Sequence, residues 1–243
     1  MIKKTTYHHG DLRQALLKSA LDILKAKDVQ GLSLREVARQ AGVSHTAPYR
    51  HFADKAALLA AVAEEGFVEF DQYLSAAVDK AQADPIESLK ATGEAYVRYA
   101  LEHPTHFRVM FAHFPTHLVP DDPLVVTAEG TFQLLVNIIS SGQAAGVIKA
   151  GDPKLLATGR WALVHGLSML LLDGMLLNPM AACSEGEPQA NYRLHKESLP
   201  KEVLAQEGFS LPNEAIALTN SIIASSLTSL AIEGAMEGAI EGP

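Results

Sequence analysis

The sequence holds a single cysteine, Cys183, among 243 residues. One thiol excludes an internal disulfide and fits a reducing compartment, so we expect a cytoplasmic protein. The first 13 residues, MIKKTTYHHGDLR, lack an apolar core and do not predict a signal peptide. The most apolar stretch, 155–177, is interrupted by three ionisable side chains and falls short of a predicted membrane span. We therefore expect no membrane partner.

The sequence also lacks the motifs of common enzyme classes. It contains no phosphate-binding loop, no glycine-rich dinucleotide turn and no HExxH zinc motif. The segment Gly166–Ser168 begins like a nucleophile elbow, but the second glycine and a preceding strand are missing. Four histidines between residues 103 and 117 do not complete a four-ligand set by spacing. We expect neither an enzyme nor a bound metal or cofactor.

The charge that is present is unevenly distributed. The chain is 48% hydrophobic and 20% charged, which is typical of a globular protein, and its formal net charge is −8. Residues 1–55 hold ten basic and five acidic side chains, whereas residues 56–243 hold ten basic and 23 acidic ones. A basic N-terminal region on an acidic remainder favours a protein that meets phosphate at one end only.

The segment 33–55, SLREVARQAGVSHTAPYRHFADK, predicts two short helices joined by a tight turn. Ser33 and Glu36 form a capping box that begins the first helix. Gly42 can adopt the left-handed conformation that ends it. A second capping serine precedes a second short helix, His45–Phe52. Two such helices with a glycine turn predict a helix-turn-helix, whose second helix enters the major groove of DNA.

These residues resemble the DNA-binding head of the TetR family of bacterial transcriptional regulators. The resemblance rests on residues that match in register over about two dozen positions, namely Val37-Ala38, Ala41–Ser44, Tyr49–Phe52, Lys55 and Leu58. Two positions depart from the family pattern. Ala47 replaces the common Thr or Ser, and Pro48 replaces a bulky apolar residue.

Helical periodicity through the rest of the chain predicts an all-α fold of about nine helices. The expected helices outside the helix-turn-helix cover 11–27, Lys55–Lys80, 86–102, 123–145, 153–177 and 212–232. We assign residues 1–55 to a DNA-binding domain and 56–243 to a larger bundle for ligand binding and dimerisation. The segment 178–211 has no clear period. The bundle resembles, more weakly, a TetR subgroup known by a Trp-His-Gly signature, here Trp161, His165 and Gly166.

Ten residues are predicted to contact DNA: Ser33, Arg35, Ser44, His45, Thr46, Ala47, Tyr49, Arg50, His51 and Lys55. The family resemblance implies phosphate contacts from Tyr49, His51 and Lys55, all of which carry donors that a phosphate can accept. His45 and Thr46, at the tip of the second helix, are the predicted base readers. Pro48 has no N–H to donate to the carbonyl of Ser44, so this helix should begin loosely or with a tighter turn.

Eight residues are predicted to line an effector site: Phe67, Phe70, Tyr96, Phe107, Met110, Phe111, Trp161 and His165. They are mostly aromatic and aliphatic, which predicts an apolar or aromatic effector. The alternative is that they only fill the core, and that His165 is a hydrogen-bonded core histidine.

The sequence therefore predicts a ligand-responsive regulator, most simply a repressor. It would bind a pseudo-palindromic double-stranded DNA operator as a homodimer and be released by a small molecule. An activator, or a regulator with no ligand, is a second interpretation. A third is an all-α binding module or enzyme whose helix-turn-helix serves protein contacts. The helices 153–177 and 212–232 carry more apolar surface than one bundle needs, so two of each could pair across a dimer.

Overall fold

The computed structural model describes residues 9–112, 121–175, 213–228 and 230. Over these residues the fold is all-α, as predicted. The helices are α1 (His9–Lys27), α2 (Leu34–Gln40), α3 (Lys55–Lys80), α4 (Pro85–Glu102), α5 (Pro104–Ala112), α6 (Pro123–Ala144), α7 (Pro153–Leu172) and α8 (Asn213–Thr228). Short 3₁₀ turns cover Val29–Gly31 and Pro48–Arg50.

The chain divides into two compact units. The first consists of Met1–Glu69 and Thr105–Ala128, and the second of Phe70–Pro104 and Glu129–Pro243. The helix α3 is continuous and contributes residues 55–69 to the first unit and 70–80 to the second. The functional division at residues 55 and 56 stays a prediction.

Three helices begin at an Asp-Pro pair. Proline needs no N–H partner in the first turn, and the aspartate accepts from the backbone N–H groups that follow it. Asp84 Oδ1 accepts from the amide of Ile86 at 2.8 Å, and Asp122 and Asp152 each accept at 2.9 Å from the amide two residues on. Their positions explain why the starts of α4, α6 and α7 were predictable to within a residue.

The end of α7 differs from the prediction. The helix ends at Leu172 instead of 177, because Gly174 adopts the left-handed conformation with φ +71°. The amide of Met175 donates to the carbonyl of Leu170 at 2.9 Å, and Gly174 donates to Leu171 at 3.0 Å. These two bonds form a Schellman motif, which satisfies the last carbonyls of the helix. The last helix, α8, is described over Asn213–Thr228, and Leu230 lies in a turn; the predicted end at 232 lies outside the described residues.

Each unit has its own apolar core. In the first unit, α1 buries Leu16, Ala20 and Ile23, which are at most 1% exposed. The core of the second unit contains buried residues of α4, α6, α7 and α8 together with Ile148, which lies between α6 and α7; they include Ile86, Leu89, Val136, Ile138, Ile139, Ala157, Ile223 and Leu227. This core holds α4 and α7 side by side and so positions the polar group described below.

The helices α6 and α7 are each long and apolar enough, by length and composition, to cross a bilayer. Only 28% of the most apolar window of each helix is buried within this chain. Apolar helices that are left this exposed are also typical of surfaces that another protein chain covers.

Candidate nucleic-acid interface and effector site

The first helix of the predicted helix-turn-helix is confirmed at both ends. Ser33 Oγ accepts from the amide of Glu36 at 3.2 Å, which begins α2. Gly42 has φ +69°, and the amide of Val43 donates to the carbonyl of Ala38 at 3.0 Å. The glycine therefore ends α2 by the mechanism that its position predicted.

The second element differs from the expected α-helix over His45–Phe52. Only Pro48–Arg50 is regular, and it is a 3₁₀ turn. The amide of Ala47 donates to the carbonyl of Ser44 at 3.0 Å, and that of Arg50 donates to Ala47 at 3.2 Å. Both bonds span three residues. Because Pro48 cannot donate to Ser44, the carbonyl is taken by Ala47, and the tighter turn follows.

Most of the predicted DNA contacts are open to solvent. Three of the ten are half-buried, namely Ala47, His51 and Lys55. The other seven are exposed: Ser33, Arg35, Ser44, His45, Thr46, Tyr49 and Arg50. Tyr49 is 52% exposed, so its ring is not part of the core and its hydroxyl can meet a partner. Phe52, in contrast, is buried at 3% exposure, as expected for a core residue.

Lys55 has an internal partner that the sequence did not reveal. Its Nζ donates to the backbone carbonyl of Val29 at 2.5 Å. Val29 follows Asp28, a non-glycine residue held at φ +63°, whose Oδ1 accepts from the amide of Val29. The ammonium has three N–H donors, so it can hold this turn and still present donors to a phosphate.

The eight predicted effector residues divide equally between the two units. In the first unit, the ring centroids of Phe67 and Phe111 are 5.5 Å apart, and those of Phe107 and Phe111 are 4.9 Å apart. Phe107 and Met110 are fully buried. A Cβ at Gly66 would lie 2.7 Å from the sulfur of Met110, so α3 and α5 approach closely here. These four residues form a packed core.

His106, like Lys55, has a partner that residue spacing did not predict. Its Nδ1 lies 3.8 Å from a carboxylate oxygen of Glu69, 37 positions earlier in the chain. The two residues belong to α5 and α3 of the first unit. A contact between residues this far apart in sequence leaves no helical period, so spacing alone did not pair any histidine between 103 and 117 with an acidic residue.

The second-unit residues form a hydrogen-bonded relay. Trp161 Nε1 donates to the hydroxyl oxygen of Tyr96 at 3.1 Å, and the Tyr96 hydroxyl lies 2.9 Å from Nδ1 of His165. An indole can only donate, so the Tyr96 oxygen accepts from Trp161. A neutral His165 with its proton on Nε2 would accept from the Tyr96 hydroxyl at Nδ1. The hydrogen bond expected of a core histidine is present, and the role of His165 in effector binding stays a prediction.

Burial favours the neutral forms in this relay. It lowers the pKa of His165 below its ordinary value and raises the pKa of the Tyr96 hydroxyl well above its usual range. The bond from Trp161 opposes the second shift, and it is the smaller effect.

Aromatic rings surround the relay on two sides. Phe70 lies edge-on to Tyr96 with centroids 5.0 Å apart. Phe132, which the sequence analysis did not select, lies edge-on to Trp161 at 6.1 Å. Trp161, the chain's one tryptophan, remains 38% exposed. An apolar wall with a few oriented polar atoms is the usual composition of a small-molecule site.

Two family models match the chain. Residues 16–62 match the model described as bacterial regulatory proteins of the tetR family, and residues 89–185 match the model described as the tetracyclin repressor-like C-terminal domain. The first covers the helix-turn-helix, and the second covers the relay.

Similar proteins agree with these matches. A helix-turn-helix transcriptional regulator, TtgW of Pseudomonas putida, is 37% identical over 62 residues, which are 26% of this chain and 46% of that protein. The chain thus matches less than half the length of this curated relative. A protein of unknown function from Rhodococcus sp. RHA1 aligns with TM-score 0.70 and 29% identity over 95% of this chain and 100% of that one. FadR of Bacillus subtilis, solved with stearoyl-CoA, shares the fold with TM-score 0.60 and 15% identity over 87% and 95% of the two chains.

Proposed function

The chain belongs to the TetR family of DNA-binding transcriptional regulators, and on that premise we propose that it is a ligand-responsive repressor in the cytoplasm. It binds a pseudo-palindromic operator as a homodimer and leaves the operator when a small molecule occupies the second unit. The observation that carries this proposal is the helix-turn-helix with its exposed donors. It assigns the chain no catalytic role.

The DNA contacts follow from the chemistry of the exposed side chains. Tyr49, His51 and Lys55 are the proposed phosphate contacts, supported by Ser33 and Arg35 at the start of α2. Hydroxyl, imidazole, ammonium and guanidinium groups all donate to phosphate oxygens and fix register without reading sequence. His45 and Thr46 are the proposed base readers. Ser44, Ala47 and Arg50 border them in sequence and complete the proposed interface.

The dimer is supported by the outer face of α7. Leu155 is 70% exposed and Leu170 is 39% exposed. Between them, a Cβ added at Gly159 or Gly166 would meet no atom of the described residues within 4 Å. An apolar helical face with small residues lets a second helix approach closely. Two heads related by a two-fold axis would read half-sites about 34–36 Å apart, or a multiple of that.

The effector site is proposed at the relay of Tyr96, Trp161 and His165. Its aromatic walls suit an apolar or aromatic molecule, and the relay supplies oriented polar atoms. Stearoyl-CoA in the Bacillus subtilis structure is a ligand of that protein; it supports only the view that this fold can hold a small molecule with a long apolar part.

The continuous helix α3 is the proposed link between effector and DNA. It begins at Lys55, a proposed phosphate contact, and its later residues belong to the unit that contains the relay. The effector must bind better to the released state, since equal affinity for both states shifts nothing. A coupling of about 1–3 kcal/mol gives a 5- to 150-fold loss of operator affinity.

A salt titration tests the DNA-binding function. Affinity for random duplex DNA should fall steeply with salt, with a slope of about −0.9 per phosphate neutralised in a plot of log K against log salt. Selection from a random library should then yield a palindromic site. A flat salt dependence would support the alternative in which the helix-turn-helix contacts protein.

A further inference from the structure

Three charged side chains on the surface of the first unit form one ion-pair cluster. Glu36, on α2, accepts from Arg39 through both carboxylate oxygens, at 2.9 Å from Nε and 2.7 Å from Nη2. Lys27, at the end of α1, donates to the same carboxylate at 2.9 Å. One acid therefore occupies two bases of the DNA-binding unit.

The cluster is open to solvent and charged at neutral pH. The side chains of Lys27 and Arg39 are 56% and 65% exposed. Hydrogen bonds from Arg39 and then Lys27 lower the pKa of Glu36 to about 2, so its carboxylate stays ionised under all ordinary conditions. Glu36 therefore keeps the negative charge that both ion pairs require.

Stability does not explain this arrangement. Exposed ion pairs contribute about 0–1 kcal/mol, because water and salt screen them. The start of α2 depends on the bond from the Glu36 backbone amide to Ser33 Oγ, which needs no carboxylate. Replacing the carboxylate by an amide should leave the fold intact.

The cluster lies beside the proposed DNA contacts. Arg39 follows Arg35 by four residues, so the two share one face of α2 about 6 Å apart along its axis. Arg35 is exposed and is a proposed backbone contact. Arg39 would therefore be placed to meet a neighbouring phosphate if Glu36 did not hold its guanidinium.

We propose that Glu36 limits sequence-independent DNA binding by occupying Arg39 and Lys27 in ion pairs. This rests on DNA binding by the head. A released cation that neutralises a phosphate steepens the salt slope by about 0.9, which at 0.1 M salt corresponds to about 8-fold in affinity. Glu36 thereby keeps the genome's excess of non-specific sites from competing with the operator.

The test compares Glu36→Gln with the wild-type chain on random-sequence duplex DNA over a range of salt concentrations. The variant should bind up to about 5-fold more tightly at 0.1 M salt for one released ion pair and up to about 25-fold for two, because the wild-type chain can break an exposed pair at little cost, and the slope should be steeper by about one or two units. A melting curve followed by circular dichroism verifies that the fold is unchanged.

Glu64→Gln is the matched control. Glu64 also belongs to the first unit and pairs with an arginine, Arg13, at 3.8 Å, so the charge change is the same. It should give a much smaller gain. In the Glu36→Gln background, Arg39→Gln should remove the share of the gain that this guanidinium supplies.

The outcomes separate the two proposals. An unchanged slope in Glu36→Gln, or an equal gain in Glu64→Gln, overturns the role of Glu36 while DNA binding stands. A flat slope in the wild-type chain overturns DNA binding itself.

Discussion

Two surfaces of this protein are exposed for opposite reasons. Between Ser33 and Lys55 the exposed side chains carry hydroxyl, imidazole and guanidinium donors. Along α7 and just beyond it, large apolar side chains are exposed, with Leu155 at 70%, Leu170 at 39% and Met175 at 40% exposure. A surface of donors is suited to phosphate, and an apolar surface is suited to another protein chain. Exposure alone says little about function, whereas the chemistry of what is exposed indicates the class of partner.

The largest effect should come from placing a charge on the apolar surface. Leu170→Glu would bury an unpaired carboxylate in the proposed dimer interface, at a cost of several kcal/mol. We expect the dimer dissociation constant to rise at least 100-fold and operator affinity to fall with it. Sedimentation velocity at several protein concentrations measures the change. A dimer that survives would move the interface away from this face.

Glycine substitutions provide a test of the same interface that spares the fold. Gly166→Leu adds bulk where an added Cβ would meet none of the described residues within 4 Å, so we expect it to weaken the dimer by displacing a partner, and Gly130→Leu on α6 is the matched control with equal space. Gly174 is unsuitable for this purpose. Its φ of +71° strains any other residue, so a loss of dimer there would have two causes.

The next effect concerns sequence preference on the surface of donors. His45→Ala or Thr46→Ala should reduce discrimination between the operator and a base-substituted operator by about 1–3 kcal/mol, or 5- to 150-fold. Affinity for random DNA should remain near the wild-type value, because phosphate contacts are kept. Binding titrations with both duplexes measure the ratio. Equal losses on operator and random DNA would assign these residues to phosphate contact instead.

A smaller effect is expected from the phosphate contacts themselves. Lys55→Ala should weaken operator and random DNA by a similar factor, about 8-fold at 0.1 M salt, and flatten the salt slope by about one unit. Tyr49→Phe is the uncharged comparison, in which affinity falls and the slope stays. Lys55→Ala should also destabilise the first unit by about 1 kcal/mol, because the bond to the Val29 carbonyl is lost. Unchanged random-DNA affinity and slope would contradict a phosphate role for Lys55.

The local features of the fold were predictable from the sequence because their causes are local. Asp-Pro pairs fix the starts of α4, α6 and α7, and Gly42 ends α2 by its left-handed conformation. Pro48 predicted a tighter turn, but the capping serine before it predicted a helix over His45–Phe52, and only the turn is present. Gly174 carried the same signal as Gly42, but the apolar pattern beyond it obscured the end of α7.

The candidate sites were predictable only in part because their contacts join distant positions. The bond from Lys55 spans 26 residues, and that from Tyr96 to His165 spans 69. Helical periodicity identifies the face of each residue but not the neighbour it meets. The aromatic residues share an apolar chemistry that the sequence shows, and their role in binding an effector stays a prediction. Their division between two units, and the inclusion of Phe132, required the packing of α4 against α6 and α7.

The smallest predicted effect concerns the titration of His165. This polar side chain lies inside the second unit, in contrast to the apolar residues on the outer face of α7. Folded, His165 is neutral, and burial lowers its pKa below the ordinary value of about 6.5. The unfolded chain therefore binds this proton first as pH falls. Stability from the neutral form is present above about pH 6.5 and is lost as pH falls through the lower, folded pKa.

Trp161, the chain's one tryptophan, adjoins His165 with centroids 6.0 Å apart, so its fluorescence should change with a midpoint below pH 6.5. His165→Gln should abolish this step. Tyr96→Phe should raise its midpoint by less than about one pH unit, because the donor that favours neutral Nδ1 is gone. An unaltered step in His165→Gln would show that another group titrates beside the tryptophan.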